Sequence, residues 1–290
     1  SQNFTTATNS ANTGVGYNTG VNISTGINNT LIGALAGDAL TDADHNVAVG
    51  RAALSADTLG SRSTAVGFQA LSAQNFTTAT DSNNTAVGFN AGVSVSTGTS
   101  NTLIGALAGD AIDTGSLNTA LGRNALGADT KGSRAVALGR FALGTQNFTT
   151  ATDNYNIGVG YATGGAITTG ELNTLIGSLA GDALTDADKN VAVGYTALSS
   201  DTLGAQSTAI GYQALFTQNF TTATNTFNVA VGYNAGSGIT TGERNVIMGG
   251  SAGQNATDPD DCVLIGHEAG GGATMTGHDN TYVGRRAGKA

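Results

Sequence analysis

Tryptophan is absent from this chain, proline and cysteine occur once each (Pro259 and Cys262), and only 11% of residues are charged. A lone cysteine excludes an intrachain disulfide framework. No run approaches the roughly 18 apolar residues of a membrane-crossing helix, so this segment is expected to insert in no membrane directly. Lys and Arg number 11 against 20 Asp and Glu, without a basic cluster, which excludes tracking along nucleic acid. Aromatics make up 6%, too few for a broad core, while hydrophobic residues reach 39%, too many for a disordered linker. A narrow core of Ala, Val, Ile and Leu satisfies both limits. The net charge of −9 keeps an extended surface soluble. A cysteine-poor, Asn/Thr/Gly-rich composition fits a bacterial or viral exterior. Ser1 enters repeat sequence directly, so any targeting signal is expected outside the chain.

What is present is a repeat. The motif Asn-Thr-Ala-Val-Gly and its variants ends on glycines 16, 33, 50, 67, 88, 105, 122, 139, 160, 177, 194, 211, 232, 249, 266 and 284. The spacings run 17, 17, 17, 21 three times, then 17, 17 and 18, giving a super-repeat of 72 residues. An aliphatic residue precedes every motif glycine, from Val15 and Ile32 to Ile265 and Val283. Ala stands three residues after it in fourteen units, and the next position alternates in pairs, Gly20 and Gly37, then Leu54 and Leu71. Asn stands four residues before it in twelve units. Four-residue β-rich segments closed by glycine are too short for helices. Their phase predicts an all-β fold, a parallel β-solenoid or β-roll of about 16 short coils, with x-x-Ala-Leu as a second strand. Identical positions then stack about 4.8 Å apart along roughly 75 Å. Stacked Asn amides are expected to hydrogen-bond along a ladder. The chain is taken as one repeat domain, 1–290, with super-repeats 1–72, 73–144, 145–216 and 217–290. So thin a coil buries little area, which predicts side-by-side packing of chains as a homotrimer, with small Ala and Gly positions allowing close approach.

Asn84 to Ala91, Asn118 to Ala125 and Asn228 to Ala235 carry the pattern Asn-x-x-x-Gly-x-x-Ala, which resembles the head repeat of trimeric autotransporter adhesins of the YadA type. Similar repeats occur in bacteriophage long tail fibres. The resemblance covers essentially the whole chain. It implies a trimeric, left-handed β-roll, extracellular at a cell surface or on a virion tail, that binds a host surface protein or glycan. The coil is longer than that of the YadA head, and neither a neck motif, coiled-coil heptads nor a β-barrel anchor is recognisable here.

Gln-Asn-Phe-Thr-Thr-Ala-Thr recurs at Gln2 to Thr8, Gln74 to Thr80, Gln146 to Thr152 and Gln218 to Thr224. These segments supply the four extra residues and are expected to bulge as loops. As a binding stripe they would present Asn75, Phe76, Thr77, Thr78, Asn147, Phe148, Thr149, Thr150, Asn219, Phe220, Thr221 and Thr222. The competing expectation, which is favoured, tucks each Phe inward to close a gap between neighbouring chains. Each copy also holds an Asn-x-Thr sequon, at Asn3, Asn75, Asn147 and Asn219, although such sequons arise freely in this composition. Asp38, Asp110 and Asp182, with Asp42/Asp44 and Asp186/Asp188, are expected to be solvated loop carboxylates, since the calcium-binding nonapeptide is missing. Asp258, Asp260 and Asp261 read as a local turn. His45, His267 and His278 stand in no nucleophile or metal-ligand pattern, so no enzyme chemistry, metal or cofactor is expected. Thr at the second motif position hints at an ice-binding face, but Val47, Val136, Val191, Val229 and Val246 interrupt it. Gly270 and Gly288 stand where the alternation calls for Leu, and the natural protein is expected to continue past Ala290. The sequence thus predicts a non-catalytic adhesive or structural fibre segment. A tail-fibre shaft or an ice-binding solenoid are the alternatives.

Overall fold

The computed structural model describes residues 9–272, 275 and 277–289. They belong to two compact units, Ser1–Arg140 with Asn147–Asp153, and Phe141–Gln146 with Asn154–Ala290. Each unit holds eight three-residue strands in parallel sheet, from Thr13–Val15 to Val136–Leu138 in the first and from Ile157–Val159 to Thr281–Val283 in the second. No helix occurs among the described residues. Register is uniform: Thr30, Leu31 and Ile32 pair with Val47, Ala48 and Val49, and Thr174, Leu175 and Ile176 with Val191, Ala192 and Val193. Each motif position therefore stacks on itself in the next coil. The fold is the β-solenoid that the periodicity predicts.

Strand alternation sets the core. The middle residue of each strand points inward, and Leu31, Ala48, Ala65 and Leu103 are fully buried, while the flanking residues face out. The motif glycine then turns the chain at a φ that side chains rarely adopt, +137° at Gly50. A Cβ there would press into the carbonyl oxygen of Gly67 in the next coil. Close coil-to-coil stacking and positive φ together demand glycine.

The expected second strand does not form. The residues after the motif glycine make a turn in which alternate residues are left-handed, with φ of 55° at Ala52 and 54° at Leu54. The Ala53 amide bonds back to the Gly50 carbonyl at 3.3 Å, and side-to-side bonds such as Leu54 N to Ala70 O, 3.0 Å, join successive turns. Ladder bonds between turns make up for the left-handed strain.

The paired alternation of Gly and Leu is a volume exchange across the core. In the second coil, Leu31 and Leu40 fill the centre, and a Cβ on Gly37 would meet them at 2.9 and 2.8 Å. In the third and fourth coils the strand residue shrinks to Ala48 and Ala65, and Leu54 and Leu71 fill the same space. The exceptions near the end obey this rule. Leu264 and Tyr282 occupy the inward strand position, and a Cβ on Gly270 or Gly288 would meet them at 2.9 and 2.5 Å. Close packing admits a large side chain at the strand position or at the fourth position after the glycine, and not at both.

Candidate functional site

The inserted loops leave the solenoid after each buried Phe. The Leu59 amide bonds the Phe76 carbonyl at 3.1 Å, and the Thr80 amide returns to the Leu59 carbonyl at 3.3 Å. Thr77, Thr78 and Ala79 lie outside this clamp and are exposed. Lys131 clamps Phe148 and Thr152 in the same way, and Leu203 clamps Phe220 and Thr224. Short parallel pairs, Gly60–Ser61 with Thr80–Asp81, Gly132–Ser133 with Thr152–Asp153 and Gly204–Ala205 with Thr224–Asn225, close each loop base. The bulging loops are as expected, and the copy Gln2 to Thr8, with Asn3, lies outside the described residues.

Phe76, Phe148 and Phe220 are only 7%, 4% and 6% exposed, which withdraws them from any contact stripe. Their burial is complete within one chain, so no neighbouring chain is needed to cover them. Thr77, Thr78, Thr149, Thr150, Thr221 and Thr222 remain exposed, with Asn75 and Asn219, while Asn147 is half-buried. What reaches solvent is a polar stripe of amides and hydroxyls. The Thr58, Thr130 and Thr202 hydroxyls donate to the Phe76, Phe148 and Phe220 carbonyls at 2.8, 2.8 and 2.9 Å, and lie 3.2, 3.0 and 3.1 Å from the Oδ1 atoms of Asn75, Asn147 and Asn219.

A buried carboxylate anchors each loop, and sequence reasoning missed it. Asp57 is fully buried, and its Oδ1 accepts the Gly60 and Phe76 amides at 3.0 and 3.1 Å. Its Oδ2 accepts Gln74 Nε2 at 2.5 Å. That Nε2 also donates to Ser63 Oγ at 2.9 Å, and Asn84 donates to Gln74 Oε1 at 2.9 Å. Asp201 and Gln218 repeat this set with Ser207 and Asn228. Asp129 accepts the Gly132 and Phe148 amides in the middle copy. Burial pushes the Asp57 carboxyl above its ordinary range, against the donors that hold it down. The available signal was an Asp 17 residues before each loop Gln, three times, at the 72-residue period.

Asp38, Asp110 and Asp182 are not simply solvated. One oxygen of each, Oδ1, is buried and unbonded, and burial raises all three pKa values. Asp42 and Asp44 are taken up by the preceding coil, accepting Thr25 Oγ1 at 2.5 Å and the Ile27 amide at 2.7 Å. Asp258 and Asp260 do the same for Thr241 and the Glu243 amide at 2.6 and 2.8 Å.

The second candidate surface is the outward face of the sheet. The residue before each motif glycine makes an aliphatic column, which exposes Ile32 and Leu121 in the first unit and Ile176, Ile210 and Met248 in the second. Beside it, the residue after the glycine adds rings. Phe68 and Phe89 stack at 5.4 Å in the first unit, with Arg51 over Phe68 at 5.6 Å. In the second, Tyr195, Tyr212 and Tyr233 stack at 5.7 and 5.2 Å. The small Ala positions expected to allow close approach of chains point into the core instead. Eight strands at about 4.8 Å and a width of about five residues give this face roughly 500 Å² in each unit. A patch of that size is as large as the largest on a typical monomer, and such patches are often functional. No family model, curated protein or solved structure matches the chain.

Proposed function

We propose that this chain is an extracellular, non-catalytic fibre segment that self-associates through the outward sheet face, as a trimer, and displays its inserted loops to a cell surface. The observation that carries the reading is the aliphatic column with its ring stacks, repeated coil after coil on one side. Each unit offers about 500 Å² of this face, the size of patch that often serves an interaction. The trimeric state follows the resemblance to adhesin head repeats. The loops then act by number: weak contacts of exposed Thr and Asn side chains, repeated at the super-repeat period on each chain, gain avidity without a deep pocket. A host protein or glycan of a cell surface is the partner such polar stripes suit, and a tail-fibre shaft would use the same display.

The test is the solution mass of the full chain by light scattering after size exclusion. A mass near three times 28.6 kDa is the expected result. A mass of one chain at micromolar concentration would sink the self-association half. Loss of cell binding after the loop Thr residues are changed to Ala would support the display half independently.

A further inference from the structure

We infer that Asn75, Asn147 and Asn219 are acceptor sites for asparagine-linked sugar on the folded chain. Besides the copy at Asn3, the sequence holds seven Asn-x-Ser/Thr acceptor triplets, at Asn22, Asn28, Asn75, Asn83, Asn147, Asn219 and Asn255. The side-chain nitrogen is the atom that must be free to react, and the structure divides the seven on this point. Asn22 Nδ2 donates to the Asp38 carbonyl at 2.8 Å, and Asn83 Nδ2 to the Asp81 carbonyl at 3.0 Å. Asn28 Nδ2 is engaged by His45 Nε2 at 3.2 Å. Asn255 Nδ2 donates to the Gly271 and Gly272 carbonyls at 3.1 and 2.7 Å. Among the described residues, no hydrogen bond takes up Nδ2 of Asn75, Asn147 or Asn219.

The loop builds the rest of an acceptor. Oδ1 of each amide lies beside a Thr hydroxyl, at 3.2, 3.0 and 3.1 Å, whose closer acceptor is the carbonyl of the following Phe. The middle residue of the triplet, Phe76, Phe148 or Phe220, is buried and fixes the backbone. The third residue, Thr77, Thr149 or Thr221, is exposed, so both ends of the triplet face a transferase. The co-substrate is a sugar activated at C1 by a phosphate leaving group, either a nucleoside diphosphate or a lipid pyrophosphate. Nδ2 forms a bond to C1 as the C1–O bond to phosphate breaks. The phosphate leaves with the electron pair, and one amide proton passes to a base of the transferase.

The test gives the purified, folded full chain a soluble Asn-x-Thr glucosyltransferase with UDP-glucose. A parallel arm supplies a membrane oligosaccharyltransferase with its lipid-linked glycan. Sites are located by peptide mass mapping, with heat-unfolded chain as control. In at least one arm, sugar is expected on Asn75, Asn147 and Asn219 but not on Asn22, Asn28, Asn83 or Asn255, with Asn147 slowest because it is half-buried. His45→Ala frees Nδ2 of Asn28 and is expected to add that site. Equal modification of all seven triplets would overturn the inference. So would folded chain that neither donor modifies while unfolded chain accepts sugar.

Discussion

At the scale of single residues, this protein rests on side chains that bond to backbone one coil away. Asn101 Oδ1 accepts the Asn118 amide at 3.0 Å, and its Nδ2 donates to the Gly115 carbonyl at 2.9 Å. The same pair of bonds runs from Asn46 and Asn190, so the ladder is mainly amide to backbone, with amide-to-amide bonds as minor members. Asn101→Ala leaves both backbone groups short of a buried partner. It is expected to cost about 2 to 3 kcal/mol in urea unfolding. Leu117 sits at φ 61° with its side chain 48% exposed. Leu117→Gly relieves left-handed strain at some cost in unfolded-state entropy, for an expected net gain of about 0.5 kcal/mol. Asp110 supplies the pH test. Its folded pKa lies above the unfolded one because burial disfavours the charge. The native state therefore holds the proton more tightly. The stability this confers is full below the unfolded pKa and is lost as pH rises through the folded value. Asp110→Asn is expected to raise the melting temperature at pH 7 and to leave no gain at pH 3. Glu268 runs the opposite way: Lys289 and Arg286 hold its pKa at about 2, and that stability is lost in acid as pH falls toward this value.

At the scale of the coil, the rule is that a large inward strand residue and a large residue four after the motif glycine exclude each other. The alternation of Gly and Leu was visible in the sequence, but its cause was not. Position four after the motif glycine is small wherever the strand or the next corner is large. Leu264→Ala alone opens a cavity and is expected to cost about 3 kcal/mol. Gly270→Leu alone overfills the same space. The double variant restores the arrangement of the earlier third coils, Ala120 with Leu126, and is expected to recover most of the combined loss. A double-mutant cycle by denaturant unfolding measures the coupling. Simple addition of the two losses would contradict the exchange.

At the scale of the whole molecule, each unit carries an apolar sheet face and polar inserted loops. Ile176→Lys with Met248→Lys places two charges on the exposed column of the second unit. This variant is expected to lower the solution mass toward one chain while leaving the β-type circular dichroism unchanged, because both side chains face away from the core. Retention of the larger mass would move self-association to another surface.

The periodicity by itself determined the coil length, the in-register stacking, the inward Ala, the stacking of the Asn positions and the bulging of the inserts, while the Asn amides bond mainly to backbone and not to one another. Each follows from residue type at a fixed phase, which stacking reproduces coil by coil. Three things were decided only by tertiary structure. The segment after each motif glycine became a left-handed turn instead of a strand, since coil-to-coil bonds outweigh the local preference of Ala and Leu. Phe76, Phe148 and Phe220 went inside, as the favoured reading of the sequence had it, but they are buried within their own chain and not in a gap between chains. Asp57, Asp129 and Asp201 were buried as loop anchors, although Asp in a turn ordinarily faces water, because their partners lie a full coil away and no local pattern shows them.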